Sequence, residues 1–274
     1  MFYLRGIGSL LGFGLASLYG VWITLVRRDR SLVARDYARA LSRWMPPPLG
    51  LEVVVEGIEN LSAQQPCVYI ANHQSAFDVP IFAGIYPENT VIVGKKELSY
   101  IPFFGWIFRV TGNILIDRSH NPSAVQRLRG AEDAIRERGV SVLVFPEGTR
   151  GKQPGGLLPF KKGGFYMAIA AQVPIVPIVA SPVRELFDVD RRLIRPGTIR
   201  IRVLGPLPTS GLTEADVGVL IEQVRTSMLE AMRTLPTTPR GAGHDANRQL
   251  AGNQLHATPA ACRHPLRRDP LHPE

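Results

Sequence analysis

The chain has 274 residues, 45% hydrophobic and 20% charged, with a formal charge of +9 at pH 7. That length suits one domain with appendages, and the composition suits a packed core. The positive balance fits nucleic acid, an anionic membrane surface or a phosphorylated substrate, but there is no zinc-finger spacing and no RNA-binding aromatic signature, so no nucleic-acid partner is expected. The two cysteines, Cys67 and Cys262, are expected to be free thiols: one falls in a buried strand and the other in a tail.

Gly6 to Val26 contains no charged residue. As a helix it would be roughly 32 Å long, enough to reach across a hydrocarbon core. Tyr19 and Trp22 suit the membrane interface, and Arg27, Arg28 and Arg30 suit anionic headgroups. A signal peptide is disfavoured, because the run has only Arg5 before it and ends in arginines rather than at a small-residue cleavage site. Gly6, Gly8, Gly12, Gly14 and Gly20 weaken it as an isolated helix. The pattern fits a full crossing and a shallow insertion equally.

Ser31 to Met45 reads as an amphipathic helix. Leu32, Val33, Tyr37, Leu41 and Trp44 recur at near-helical spacing, with Arg35, Arg39 and Arg43 between them. It fits a helix packed on a domain core or one lying against lipid. Pro46-Pro47-Pro48 ends it. Residues 1–48 are thus expected to be membrane-associated helices.

Residues 49–235 alternate strands and helices. The expected strands are Leu51–Val55, Val68–Ala71, Thr90–Val93, Ile114–Asp117, Val140–Phe145, Ile175–Val179 and Thr198–Val203. The expected helices are Val79–Tyr86, Phe103–Thr111, Ser123–Arg138, Gly163–Ala171 and Thr213–Arg233. The pattern predicts an α/β fold with a mostly parallel central sheet flanked by helices. Residues 236–274 lack apolar periodicity and read as a disordered tail. The irregular spacing of His244, His256, His264 and His272 there argues against a metal site.

Two strings follow strands, where a rigid scaffold usually presents its chemistry. Asn72-His73-Gln74-Ser75-Ala76-Phe77-Asp78 offers a histidine base and a carboxylate to orient it. Five positions on a straight helix place two side chains about 140° apart, so the pair needs a bend at Gln74–Phe77 to meet. Phe145-Pro146-Glu147-Gly148-Thr149-Arg150 offers a tight Gly turn and a fixed cation, suited to a phosphate. A carboxylate beside a phosphate repels it, so Glu147 reads as a group for an acceptor hydroxyl or for orienting Arg150. Thr149 either bonds the phosphate or caps the turn. Phe160-Lys161-Lys162-Gly163-Gly164 adds either a phosphate contact or a solvated charge pair.

With Gly112-Asn113-Ile114-Leu115-Ile116-Asp117-Arg118 between them and Val173-Pro174-Ile175-Val176-Pro177 after, the two strings make four blocks in order. Over about Leu51 to Leu204 the chain resembles the glycerolipid acyltransferase family, in particular its 1-acyl-glycerol-3-phosphate acyltransferases. The resemblance implies transfer of an acyl chain from acyl-CoA or acyl carrier protein to the sn-2 hydroxyl of lysophosphatidic acid, giving phosphatidic acid. It implies His73 as general base oriented by Asp78, with Glu147, Gly148, Thr149, Arg150, Arg118 and Lys95 on the acceptor and its phosphate. No metal and no bound cofactor are implied, because the thioester is already activated. Family members carry an N-terminal helix pair that docks on lipid, which implies a membrane location at the cytoplasmic face of the inner membrane. Another lysophospholipid, glycerol-3-phosphate or an acylated amino-acid lipid are alternative acceptors. A non-catalytic lipid-binding protein of the same fold is the rival from another class.

Overall fold

The computed structural model describes residues 1–63, 65–116, 132–151 and 156–240. Arg118, Asp117, residues 123–131 of the expected third helix, Cys262 and the tail beyond Arg240 lie outside the described residues.

The uncharged N-terminal run forms α1 (Phe2–Val26), and α2 (Arg30–Trp44) follows at once. Asp29 caps α2 by accepting the N–H groups of Ser31 at 2.9 Å and Leu32 at 3.3 Å, which satisfies donors a helix start leaves open. Three of the glycines that looked like a weakness in α1, Gly8, Gly12 and Gly20, make its packing face. Gly8, Gly12, Ala16 and Gly20 recur every four residues on one side, the small-residue spacing that lets helices approach closely. A Cβ on Gly12 would lie 2.2 Å from the Trp44 carbonyl oxygen, and one on Gly20 would lie 2.6 Å from the Tyr37 ring. The opposite side of α1 exposes Leu4, Ile7, Leu11, Leu15, Leu18, Trp22 and Leu25.

The strands are β1 (Leu51–Glu56), β2 (Val68–Ala71), β3 (Thr90–Lys95), β4 (Ile114–Ile116), β5 (Ser141–Val144), β6 (Ile175–Ala180), β7 (Phe187–Asp188), β8 (Leu193–Ile194), β9 (Gly197–Val203) and β10 (Thr238–Pro239). The main sheet runs in the order β1-β9-β6-β2-β5-β3-β4. From β6 to β4 all neighbours are parallel, β9 is antiparallel to β6, and β1 is parallel to β9. The central strands β2, β5 and β6 are buried at every position, as strands covered on both faces must be. Each large apolar side chain so buried, such as Ile70 or Ile178, stabilises the fold by about 1.5–3 kcal/mol.

Among the helices are α3 (Asp78–Ala83), α4 (Phe104–Val110), α5 (helical residues 132–138), α6 (Gly163–Ala171) and α7 (Val217–Arg233). One core cluster joins β2, β5 and β6 to α6 and α7, and a second joins the other sheet face to α3. A third unites α1, α2 and α4. The N-terminal helices therefore share a packed core with α4 and the end of α3.

Two features lay outside the expectations. Thr238 and Pro239, assigned to the tail, pair antiparallel with Thr198 and Gly197, so ordered chain continues past residue 235. A short hairpin, β7–β8, is held by Arg184, whose Nη2 lies 2.9 Å from the Asp188 carboxylate. Two-residue strands carry too few side chains to show an alternation.

Candidate active site

The bend that the His–Asp spacing requires is present. β2 ends at Ala71, residues 74–77 turn, and Asp78 opens α3. Asp78 is 1% exposed. Its Oδ2 accepts the N–H groups of Gln74 at 2.6 Å and Ser75 at 2.9 Å and meets His73 Nδ1 at 2.8 Å. An oxygen already taking two amide donors acts as an acceptor, so Nδ1 is the donor to it and Nε2 is the ring nitrogen turned away from Asp78. The His73 ring lies on Phe145, centroids 4.6 Å apart.

Flanking side chains lock this turn to β6. Asn72 accepts the Ala180 N–H at 2.8 Å and donates to the Ala180 carbonyl at 3.0 Å. Gln74 Nε2 donates to the same carbonyl at 3.0 Å. Ser75 Oγ accepts the Phe77 N–H at 3.1 Å, so that hydroxyl is a turn brace. Phe77 packs on Phe187 of the β7–β8 hairpin, centroids 4.7 Å apart.

The second string forms a loop beside the first. Gly148 turns at φ 67°, a left-handed conformation that favours glycine. A Cβ there would also lie 2.6 Å from Lys161 Cε. Glu147, expected to bind an acceptor hydroxyl or to orient Arg150, is turned to backbone amides. It is 4% exposed; Oε1 accepts the His73 N–H at 2.7 Å and Oε2 accepts the Leu158 N–H at 2.9 Å. Burial raises its pKa, opposed by those two amide bonds. Gly151 N–H donates to the His73 carbonyl at 2.8 Å, so the loop grips the histidine main chain on both sides. Thr149 and Arg150 are exposed.

His73, Lys95 and Arg150 meet at one cavity of about 310 Å³. Its walls away from them are apolar, with Phe82 and Ile85 after the His73–Asp78 turn, Phe104 and Phe108 of α4, and Ala38 and Leu41 of α2. Packing of α2 on the core was one of the two expectations for it, whereas its place in the cavity wall, through Ala34, Ala38 and Leu41, was missed. The block Val173–Pro177 is interior: Ile175 and Val176 are fully buried.

A histidine–carboxylate pair at an apolar cavity that also meets two cations can serve acyl transfer. The sequence profile of the acyltransferase family matches residues 52–181. The 1-acyl-sn-glycerol-3-phosphate acyltransferase of Saccharomyces cerevisiae is 32% identical over 246 residues, 87% of this chain and 80% of that one. The chain belongs to the acyltransferase family. The alpha form of the human 1-acyl-sn-glycerol-3-phosphate acyltransferase is 39% identical over 194 residues, 71% of this chain and 68% of that one. Among solved structures, the 1-acyl-sn-glycerophosphate acyltransferase of Thermotoga maritima is similar with a TM-score of 0.68 and 27% identity, covering 85% of this chain and 98% of that one. The mostly parallel sheet flanked by helices is the fold of that acyltransferase. The family match contains both the His73–Asp78 turn and the Glu147–Arg150 loop.

Proposed function

We propose that the protein is a 1-acyl-sn-glycerol-3-phosphate O-acyltransferase that makes phosphatidic acid from lysophosphatidic acid and an acyl thioester. The observation that carries the reading is His73, oriented through Nδ1 by Asp78, at the mouth of a cavity that also meets Lys95 and Arg150. Nε2 takes the proton from the sn-2 hydroxyl as its oxygen attacks the thioester carbonyl. The tetrahedral intermediate collapses, the carbon–sulfur bond breaks, and the histidinium returns the proton to the thiolate. Arg150 and Lys95 hold the acceptor phosphate, with Gly148 and Thr149 shaping the loop. Glu147 holds His73 in place. The apolar cavity takes an acyl chain. The donor is acyl-CoA or acyl carrier protein, and its thioester supplies the activation that a bound cofactor would otherwise provide.

The enzyme works on a membrane. By length and composition α1 could cross one, but its small-residue side is packed along α2 while its large apolar side chains form one outward stripe. That division supports α1 lying in one leaflet, and the cytoplasmic face is proposed from the family resemblance alone.

The test is thiol release from palmitoyl-CoA by the purified chain, with lysophosphatidic acid, glycerol-3-phosphate, lysophosphatidylcholine or no acceptor. Release only with lysophosphatidic acid, lost in His73→Ala and with a raised acceptor KM in Arg150→Ala, supports the reading. Release with another acceptor only would move the substrate assignment.

A further inference from the structure

The exposed large apolar side chains of the described residues fall into two groups. One is the outward stripe of α1. The other is Tyr100, Ile101, Phe103 and Trp106, which are 70, 37, 54 and 39% exposed. Elsewhere only Ile58, Val189 and Val219 are so exposed. Isolated exposed apolar residues need no explanation, whereas a cluster marks a contact surface.

The second group is held outward by its backbone. The Phe104 N–H donates to the Pro102 carbonyl at 2.6 Å, closing a three-residue turn around Phe103. Phe103 has φ 60° and ψ −53°, a conformation that costs a bulky residue about 1–3 kcal/mol. The Gly105 N–H donates to the Ile101 carbonyl at 2.8 Å, and a Cβ on Gly105 would lie 2.3 Å from the Ser99 carbonyl oxygen. This tight knuckle sends adjacent rings opposite ways. Phe104 is 6% exposed and walls the cavity, while Phe103 faces outward.

We propose that the knuckle, Tyr100 to Trp106, is a second membrane-insertion element that seats the cavity mouth on lipid. The inference rests on the membrane acyltransferase reading. Three observations select lipid as the occupant. The knuckle continues the α1 surface, because α4 packs on α1: the Phe13 and Phe104 rings are 6.1 Å apart, and Ile107 reaches Gly20. Three exposed cations, Lys95, Lys96 and Arg109, outnumber the one exposed carboxylate beside it, Glu97, a balance that suits anionic headgroups. Leu98 and Lys95, just ahead of the knuckle, line the cavity, so a lipid acceptor reaches His73 from a membrane held there without passing through water.

The test uses the three tryptophans of the full chain, Trp22, Trp44 and Trp106. One variant, Trp22→Phe with Trp44→Phe, keeps Trp106, and another, Trp44→Phe with Trp106→Phe, keeps Trp22. Both are mixed with phosphatidylethanolamine–phosphatidylglycerol vesicles whose acyl chains are brominated. The expected result is quenching of Trp106 comparable with that of Trp22. Quenched Trp22 with unquenched Trp106 overturns the proposal and leaves the α1 reading standing. If neither is quenched, both fall. Trp106 emission that tracks protein concentration instead of lipid would assign the surface to a second copy of the chain and overturn the proposal. Phe103→Asn supplies an independent readout, since asparagine takes positive φ more readily. It is expected to raise the KM for vesicle-borne lysophosphatidic acid several-fold while leaving that for a short-chain, water-soluble acceptor unchanged. Equal KM changes for both acceptors would also overturn the proposal.

Discussion

The carboxylate of Glu147 accepts the main-chain N–H of His73 at 2.7 Å, across 74 residues of sequence. The loop that carries Arg150 therefore also sets the position of His73, the proposed base. Both Glu147 oxygens accept backbone amides, so the carboxylate is engaged within the protein. Glu147→Gln keeps the size but places an NH2 against one of those N–H groups. A displacement of the base on the scale of an ångström lowers kcat about 10²-fold, while the acceptor KM stays near its original value. A large rise in KM with kcat intact would mean that Glu147 touches substrate.

The same carboxylate gives a pH prediction. Burial, the larger influence, raises its pKa above the ordinary 4.5. The folded chain therefore takes up this proton at higher pH than the unfolded chain. The stabilisation from the neutral form is fully present below 4.5 and is lost as pH rises through the raised value. The clamp on His73 is complete only when the group is ionised, so Glu147 moves stability and activity in opposite directions. Melting temperature against pH should fall more steeply across that window in the original chain than in Glu147→Gln. Parallel curves would contradict the assignment.

Asp78→Asn removes the charge that orients His73 and leaves the volume. Its amide nitrogen cannot accept the donors now converging on Oδ2, from His73, Gln74 and Ser75. The expected loss in kcat is about 10²–10⁴-fold, with the acyl-CoA KM little altered. Full turnover in a folded Asp78→Asn variant would show that His73 does not depend on this partner.

The parallel strands were legible in the sequence because a strand covered on both faces is a short, continuous apolar run bounded by turn residues. Val68–Ala71 and Ile175–Ala180 are such runs. The His73–Asp78 bend was legible once the family resemblance paired the two residues, since a straight helix would hold them apart. The role of Glu147 was not legible, because it depends on a contact between segments 74 residues apart. The glycines of α1 misled for a related reason: propensity describes an isolated helix, whereas Gly12 and Gly20 are chosen by what lies against them. The β7–β8 hairpin escaped notice because its meaning lies in Phe187 reaching Phe77, a tertiary fact.

Gly20 links the α1 seam to the cavity. A Cβ there would overlap the Tyr37 ring at 2.6 Å and Ile107 at 2.7 Å, and Tyr37 lines the cavity. Gly20→Val should destabilise by about 1–3 kcal/mol through overpacking, and it should push Tyr37 inward. Relative rates with a series of acyl-CoA donors are expected to shift toward shorter chains. An unchanged chain-length profile at reduced stability would place the acyl chain away from Tyr37.

Cys67 lies just before β2, the strand that ends at the catalytic turn. It is fully buried, and burial raises its pKa, so little reactive thiolate exists near neutral pH. Peptide mapping after N-ethylmaleimide treatment at pH 7 should show Cys67 unlabelled in the folded chain and labelled in denaturant. Any slow labelling in native conditions would report opening of the sheet between β2 and β5, because the Cys67 N–H donates to Ser141 Oγ at 3.2 Å. Activity should then fall in step with Cys67 modification, since an adduct at the root of β2 displaces His73. Rapid native labelling without loss of turnover would show that this end of the sheet opens independently of the site.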